Sequence, residues 1–189
     1  MRPPLYVGYY TRGTPYAEEA RELAATCCAF GLSLELTAID DLGGWQRNTQ
    51  AKAAYLLDRW YAHASEGRGL VYLDADARVR KYPALFDHLD CDFAAHWREG
   101  YEMISACMYL GTTAVVESLL LAWVDECALR PNDWDQKCLQ DIVERRADLR
   151  VVRLPPEYNA IFDAGMCPES EWVISQHQAS RRYKKIVGA

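Results

Sequence analysis

Apolar segments alternate with amphipathic segments over the first half of the chain. Three apolar runs predict strands, at 5–10, 34–39 and 69–73. The third run is apolar almost throughout, as in a strand that is buried on both faces. Between the strands, Thr14 and Pro15 begin a segment with apolar residues at helical spacing that ends at Gly31, and a second helical segment covers about 46–64. The first half therefore predicts the order β-α-β-α-β.

The second half continues with shorter apolar runs. These predict strands at 92–96, 104–110, 151–154 and 172–175. Helices are predicted at about 113–129 and 133–146, the second capped by Asn132. The whole pattern predicts an α/β fold in which helices flank a mainly parallel central sheet, with ligands bound beyond the carboxyl ends of its strands. Because no repeat or linker interrupts it, we predict a single domain over 1–189.

The composition is that of a globular protein, with 50% hydrophobic and 25% charged residues. A net charge of −6 provides no global positive field for nucleic acid or an anionic membrane. The most apolar stretch, 114–124, contains Glu117 and is shorter than the roughly 20 residues of a spanning helix, so we predict no membrane insertion. The seven cysteines form no Cys-x-x-Cys pair, which favours reduced thiols and a cytoplasmic location.

Two aspartates follow directly after the third predicted strand, as Asp74-Ala75-Asp76. Asp-x-Asp recurs at 90–92 and 133–135, but only the first copy follows a buried strand that directs it to the ligand site. Two adjacent carboxylates repel one another unless a cation or a proton neutralises them, and Mg²⁺ or Mn²⁺ accepts such ligands beside phosphate. We therefore predict a metal-diphosphate site, the alternative being a turn cap. The acids at 90–92 and 40–41 are interpreted as surface features.

Six motifs, in order along nearly the whole chain, resemble those of the GT-A-fold nucleotide-sugar glycosyltransferases. They are 11–16, Trp45-x-x-Asn48-x-x-x-Lys52, Leu73-Asp74-Ala75-Asp76-Ala77, Trp134-Asp135-Gln136, Leu154-Pro155-x-x-Tyr158-Asn159 and His177-x-x-Ser180-Arg181. The resemblance implies a Rossmann-like GT-A domain whose donor is a nucleoside-diphosphate sugar. It also implies that Asp76 ligates a metal directly, that Asp74 contacts the metal or the sugar and ribose, and that a late histidine completes the coordination.

His177 fits the late histidine of that family. It follows an apolar strand and precedes a basic cluster, and a neutral imidazole suits Mn²⁺ better than Mg²⁺. Ser180, Arg181 and Lys184 would then hold the diphosphate. The alternative is a hydrogen-bonded surface histidine followed by a solvated run of charges.

The first strand and the second helix carry candidates for contacts with the donor. The strand ends with Tyr9, Tyr10 and Thr11. A base or a ribose stacks and hydrogen-bonds on such side chains, the alternative being core and rim positions. On the helix, Asn48 and Lys52 share one face, and Trp45 belongs to the same motif of the resembled family. We expect Lys52 to reach the nucleotide or the sugar, unless it is an ordinary exposed lysine.

Asp135 and Gln136 lie near the predicted start of the helix at 133–146, where side chains and backbone N–H groups face the ligand site. In the resembled family an Asp-Gln pair at this point lies near the anomeric carbon, so both are assigned to the donor sugar and the reaction centre. Helix capping is the alternative. The pair is more similar to the retaining members than to the inverting ones, although the residues themselves leave the stereochemistry open.

Together these inferences predict a metal-dependent hexosyl- or pentosyltransferase, with UDP favoured in the donor and a hydroxyl group as acceptor. The predicted acceptor is a glycan precursor or, less favoured, a hydroxymethylated base in DNA. One alternative is a phosphohydrolase of the haloacid-dehalogenase type with Asp74 as nucleophile, which is disfavoured because Arg78 replaces the Thr or Val of that motif. The other is a nucleotide-sugar-binding module without turnover.

Overall fold

The computed structural model describes residues 2–183, with side chains as far as Arg181. Its strands are β1 (Leu5–Thr11), β2 (Leu34–Ile39), β3 (Leu70–Leu73), β4 (Ala77–Val79), β5 (Phe93–Arg98), β6 (Glu102–Leu110), β7 (Val151–Arg153), β8 (Ala160–Ile161) and β9 (Ile174–Gln176). Its helices are α1 (Tyr16–Ala29), α2 (Trp45–His63), α3 (Ala114–Leu129), α4 (Asp135–Arg145) and α5 (Ser180–Tyr183).

Six strands form the central sheet, in the order β2-β1-β3-β6-β5-β7. β1 is parallel to β2 and β3, and β7 is parallel to β5, whereas β6 is antiparallel to both of its neighbours. The reversal follows from the three-residue connection between β5 and β6, which turns through positive φ angles at Glu99 (52°) and Gly100 (83°). The predicted α/β fold with a mostly parallel sheet is confirmed, with β6 as the exception.

Helices and a second sheet cover the two faces of the central sheet. On one face, the apolar sides of α2, α3 and α4 form a single cluster with Tyr72 and Met108 of the sheet. On the other, α1 and a three-stranded sheet in the order β4-β9-β8 surround Val71, Leu23 and Phe86. Complete burial of one such side chain stabilises the fold by about 1.5–3 kcal/mol, so both faces hold the central sheet firmly.

The second sheet brings β9 against the acidic turn. β4 follows Asp76 directly, and β9 pairs antiparallel with β4, so that Gln176 lies opposite Ala77. On its other side, β9 pairs parallel with β8. The strand predicted at 172–175 therefore lies slightly later, and β4 and β8, with three and two residues, carry too short a pattern to be predicted.

Helix α4 begins at Asp135, two residues later than its pattern predicted. The Asp133 carboxylate accepts a hydrogen bond from Nε of Arg130 at 2.7 Å, and Trp134 is extended, with φ −74° and ψ 145°. Because both residues before Asp135 are held outside the helix, the prediction that Asn132 caps it is wrong.

All seven cysteines are free thiols, and five of them are buried, the others being Cys28, which is exposed, and Cys167, which is half-buried. The five buried cysteines act as small apolar residues of the core. No helix within residues 2–183 combines the length and the apolar character needed to cross a membrane.

Candidate active site

A pocket of about 930 Å³ opens at the edge of the central sheet where β1 and β3 end and β6 begins. This is the edge at which α/β sheets bind ligands. The predicted site residues that line it are Tyr9, Tyr10, Thr11, Trp45, Asn48, Lys52, Asp74, Asp76, Asp135, Gln136, Ser180 and Arg181. His177 is not part of its lining, and Lys184 lies outside the described residues.

Lys52 lies at the floor of this pocket and is only 4% exposed. Its ammonium nitrogen is 3.1 Å from Oδ1 of Asp74, 3.1 Å from Oδ2 of Asp135 and 3.2 Å from the hydroxyl of Ser105. It also lies over the ring of Tyr72, at 4.9 Å from the centroid. One cation on α2 therefore connects the end of β3, the start of β6 and the start of α4.

The charges of this cluster support one another. Burial by itself would lower the pKa of Lys52, but the carboxylates of Asp135 and Asp74 outweigh burial and hold this pKa above its ordinary value. Burial raises the pKa of Asp135, and Lys52 opposes that rise. Lys52 consequently remains an ammonium near neutral pH, and removing it would leave uncompensated buried charge.

Two buried tyrosines complete the surroundings of Asp74. The Tyr72 hydroxyl donates to Oδ1 of Asp74 at 2.7 Å, the same oxygen that Lys52 contacts. Burial, followed by the proximity of Asp74, raises the pKa of Tyr72 well above its ordinary value, so the hydroxyl remains a donor. Tyr9 donates to the backbone carbonyl of Asn48 at 2.7 Å and fixes β1 to α2. Among the described residues, donors to Asp74 therefore concentrate on Oδ1, which leaves Oδ2 for a ligand.

Asp76 is the partly buried second acid of the turn. Burial, followed by the Asp74 carboxylate, raises the pKa of Asp76 to about 6, although the Ala179 N–H donates to its Oδ2 at 2.5 Å. Two carboxylates this close repel one another unless a cation or a proton neutralises them. Asp74, Asp76 and Asp135 all line the pocket, and Asp74 and Asp135 form ion pairs with Lys52. The carboxylates of Asp74 and Asp76 are oxygen donors of the kind that Mn²⁺ or Mg²⁺ takes as ligands.

The imidazole of His177 contacts Arg80, Ser175 and Phe162. Its backbone N–H donates to the Asp76 carbonyl at 3.2 Å, but its Nε2 is 3.2 Å from Nη2 of Arg80 and 3.4 Å from the Ser175 hydroxyl. Its ring stacks on Phe162, with centroids 6.0 Å apart. Within residues 2–183, no three His, Cys, Asp or Glu side chains are grouped as a metal site. Metal ligation by His177 therefore stays a prediction.

Asp135 and Gln136 form the start of α4 in the pocket wall. Oε1 of Gln136 accepts the Ser105 N–H at 3.1 Å, and the indole N–H of Trp123 donates to the Asp135 carbonyl at 2.9 Å. These bonds fix α4 to β6 and to α3. The Gln136 carbonyl oxygen is thus bound to the β6 backbone in this structure, and its contact with a sugar stays a prediction.

Asp41 is exposed, as the sequence suggested, whereas the prediction that Asp92 is a surface feature is wrong. Asp41 accepts hydrogen bonds from the Asn48 amide at 2.9 Å and from the N–H groups of 43–44, and these bonds lower the pKa of Asp41. It thereby shapes the loop in front of α2. Asp92 is only 2% exposed, and its Oδ2 accepts the backbone N–H of Arg150 at 2.8 Å. Both acids therefore order loops at the ends of strands.

Trp45 and Trp134 form an aromatic rim at the mouth of the pocket. Their rings pack edge to face, with centroids 6.3 Å apart, and Trp134 is 54% exposed. The loop that carries Trp134 is fixed, because Nε2 of Gln50 donates to the carbonyls of Arg130 at 3.0 Å and of Asp133 at 2.8 Å. A large apolar ring on a fixed loop beside a pocket offers a stacking surface to a ligand.

Tyr72, Ser105 and Gln50 contribute to the site but were not predicted from the sequence. A signal for Tyr72 was present, because residues two apart in an extended chain share a face and Tyr72 stands two before Asp74. Ser105 contacts a residue 53 positions away in the sequence, and Gln50 contacts residues at least 80 positions away. No local sequence pattern indicates contacts over such separations.

Solved glycosyltransferase structures share this fold. One is a glycosyltransferase involved in the glycosylation of the major capsid of PBCV-1, with a TM-score of 0.72 and 15% identity over 97% of this chain and 98% of that chain. Another is the glycosyltransferase GlyE of Streptococcus pneumoniae TIGR4, with a TM-score of 0.63 and 15% identity over 92% of this chain and 54% of that one. The bifunctional glycosyltransferase WbbM matches with a TM-score of 0.56 and 12% identity, over 93% and 45% of the two chains.

No protein-family model matches the sequence, and no curated protein matches it. At 12–15% identity, the similarity to the solved structures demonstrates a common fold. The chain spans nearly all of the PBCV-1 protein and about half of GlyE. The protein therefore has the fold of the GT-A glycosyltransferases, as its sequence motifs implied.

Proposed function

We propose that this protein is a metal-dependent glycosyltransferase, which moves a sugar from a nucleoside-diphosphate sugar to a hydroxyl acceptor. The proposal depends on one observation. Buried Lys52 forms ion pairs with Asp74 and Asp135, and these residues line a pocket together with Asp76 at the ligand-binding edge of a GT-A sheet. Charged groups that are fixed before the substrate arrives stabilise a transition state without reorganisation.

The nucleoside would bind at the end of β1, where Tyr10 and Thr11 line the pocket. Asn48 borders this end, but its side chain accepts the Leu42 N–H at 2.8 Å and donates to Asp41 at 2.9 Å. In our proposal Asn48 therefore shapes the nucleoside pocket by ordering the loop, and UDP is the favoured donor nucleotide.

The diphosphate would bind beside the acidic turn. Asp74 and Asp76 would hold Mn²⁺ or Mg²⁺, with His177 as a third ligand once its side chain leaves Arg80. Bound there, the metal supplies charge neutralisation for the departing diphosphate. Arg181 lines the same pocket and lies against Asp163, and its guanidinium would bind phosphate oxygens.

At the reaction centre, Lys52 holds Asp74 and Asp135 in position through its two ion pairs. As the bond between the sugar and the diphosphate breaks, positive charge develops on the sugar ring, and the Asp135 carboxylate would stabilise it. Gln136 would orient the sugar from the same turn of α4. The similarity of the Asp135-Gln136 pair to retaining enzymes makes retention of configuration our expectation.

We place the acceptor at the aromatic rim, next in sequence to Asp135 and Gln136. The apolar C–H face of a sugar ring stacks on an indole, and Trp134 is 54% exposed beside the pocket. A glycan acceptor fits this surface. A hydroxymethylated base in DNA remains the less favoured acceptor, because the net charge is −6.

The rim predicts a selective effect of Trp134→Ala. We expect KM for a glycan acceptor to rise about tenfold or more, and the affinity for the donor to stay unchanged, because the variant removes the indole on which the acceptor would stack. Tyr82→Ala is the control, since Tyr82 is 47% exposed and lies outside the pocket lining. Steady-state kinetics with both substrates varied measure the effect, and an equal loss for donor and acceptor would contradict this placement.

Two other functions are weaker on structural grounds. A phosphohydrolase would use Asp74 as nucleophile, but Arg78 stands where that class has Thr or Val, and the solved structures described above are glycosyltransferases. A binding module without turnover would keep the same pocket, and an activity assay separates it from an enzyme.

The proposal is tested by thermal unfolding with UDP, GDP, CMP or dTDP, each with Mn²⁺, Mg²⁺ or EDTA. A ligand at 100 times its Kd stabilises by about 2.7 kcal/mol, so we expect the melting temperature to rise by about 5–11 °C with UDP and Mn²⁺. EDTA should remove the shift, and hydrolysis of a UDP-sugar should accompany binding. If no combination of nucleotide and metal shifts the melting temperature, the proposal is wrong. Phosphatase assays then test the alternative of a phosphohydrolase.

A further inference from the structure

Gln176 is a buried polar residue in the pocket wall whose side chain has no protein partner. It ends β9, the central strand of the three-stranded sheet, and is 2% exposed. Neither Nε2 nor Oε1 of its carboxamide has a hydrogen-bond partner within residues 2–183. An unpaired buried amide destabilises a fold, and an apolar side chain of the same shape would not.

The neighbours of Gln176 in the sheet explain why its carboxamide is unpaired. Ala77 of β4 and Ile161 of β8 lie directly opposite it, and neither side chain can form a hydrogen bond. Ser175 and His177 contact one another, because residues two apart in an extended strand lie on the same side. Gln176 therefore lies on the opposite side from the histidine and lines the pocket together with Ile161.

The position of Gln176 is beside the proposed binding site for the diphosphate. Ala77, which pairs with Gln176, directly follows Asp76 in the sequence. His177, which directly follows Gln176, donates its backbone N–H to the Asp76 carbonyl at 3.2 Å. In a nucleoside-diphosphate sugar, the sugar is attached to the second phosphate. A group next to the phosphate site is thus within the region that the sugar occupies.

The chemistry of a carboxamide selects among the groups that could satisfy it. Nε2 donates and Oε1 accepts, so complete pairing requires a ligand that both accepts and donates. Phosphate oxygens only accept, and a metal ion would bind only Oε1. Sugar hydroxyl groups do both. We infer that Gln176 binds hydroxyl groups of the donor sugar and determines which sugar is accepted, an assignment that rests on the proposed function.

The test compares the affinities for a nucleotide with and without its sugar. Isothermal titration calorimetry with Mn²⁺ would measure UDP, UDP-glucose, UDP-galactose and UDP-N-acetylglucosamine, or GDP and GDP-mannose where thermal unfolding favours guanine. We expect Gln176→Leu to bind the nucleoside diphosphate within about twofold of the wild type, but to bind the preferred sugar nucleotide at least about tenfold more weakly. Its discrimination among the sugars should also shrink.

Each other result overturns the assignment. If Gln176→Leu weakens the binding of the nucleoside diphosphate and of the sugar nucleotide equally, Gln176 contacts the diphosphate. If it changes neither affinity, the carboxamide contacts only water. If the wild type binds no nucleotide, the proposed function fails together with this assignment, whereas wild-type binding with an unchanged ratio removes the assignment alone. Gln176→Met provides a second variant of similar length in case leucine prevents folding.

A matched control is Gln140→Leu. Gln140 lies outside the pocket lining, and its side chain accepts the Met103 N–H at 3.0 Å and donates to the Tyr101 carbonyl at 2.7 Å. We expect this variant to melt at a lower temperature and to keep the wild-type affinity ratio. Gln176→Leu should show the reverse, with an equal or higher melting temperature in the absence of ligand.

Discussion

Replacing Lys52 with methionine should lower the free energy of unfolding by about 3–5 kcal/mol and reduce sugar transfer by at least about a hundredfold. Methionine keeps the length of the side chain but leaves Asp74 and Asp135 without the cation that now lies 3.1 Å from each. For a domain of this size the melting temperature should fall by about 6–20 °C. Thermal unfolding and an assay of UDP-sugar turnover measure the two effects separately.

The pH dependence distinguishes lost charge from lost packing in Lys52→Met. Burial already raises the pKa of Asp135 and Lys52 opposes the rise, so the pKa of Asp135 increases further without Lys52. The folded variant then binds a proton that the unfolded chain does not bind, and its stability recovers as the pH falls below neutral. A loss of stability that is independent of pH would reduce Lys52 to a packing role.

Lys137→Met is the matched control for that experiment. Nζ of Lys137 is 3.5 Å from the Asp133 carboxylate, but its side chain is 61% exposed. Exposed pairs of this kind contribute less than about 1 kcal/mol. The double variant Lys52→Met with Asp135→Asn should regain part of the lost stability, because it removes one of the two uncompensated carboxylates.

Most of the fold could be predicted because its long elements carry their own periodicity. β1, β3 and α2 are each long enough to show an apolar run or a helical stripe. The second sheet could not be predicted, because β4 and β8 are shorter than any reliable pattern and exist only through pairing with β9. The start of α4 depends on the contact of Arg130 with Asp133, which competes with the helix.

The membership of the pocket could be predicted better than the contacts within it. Asp74 and Tyr10 line one pocket because β1 and β3 are parallel and end at the same edge. The burial of Lys52 depends on Ser105 and Asp135, which reach it from distant segments. His177 shows what motif spacing can and cannot predict. The order of the motifs places its backbone beside Asp76, but the direction of its side chain depends on its contact with Arg80.

Asp76→Asn should abolish activity while leaving the fold at least as stable as the wild type. Burial and the Asp74 carboxylate raise the pKa of Asp76 from 3.8 to about 6, so the ionised group is unfavourable in the folded state. Asparagine is neutral and its carbonyl can still accept the Ala179 N–H, which donates to Oδ2 at 2.5 Å. For a partly buried group we expect a gain on the order of 1 kcal/mol, or about 2–4 °C.

The gain of Asp76→Asn should depend on pH in a defined direction. Because the pKa of Asp76 is higher in the folded state, the folded wild type binds more protons than the unfolded chain between about pH 4 and 6. Wild-type stability therefore falls as the pH rises through this range, whereas the variant has no such group. The difference in melting temperature should widen across the range and stay constant above it, in EDTA and without nucleotide.

Mn²⁺ and UDP together should reverse this order of stability, since only the wild type gains the binding energy of the pair. Asp90→Asn is the control, because Asp90 belongs to another Asp-x-Asp copy and its side chain is 81% exposed beside Arg150. It should keep full activity. An active Asp76→Asn protein would contradict the metal-diphosphate role, and an inactive one that melts well below the wild type would make Asp76 a structural residue. The expected result is a wild type that is active but less stable than Asp76→Asn. It would show that the charge at Asp76 is retained for catalysis at a cost in stability.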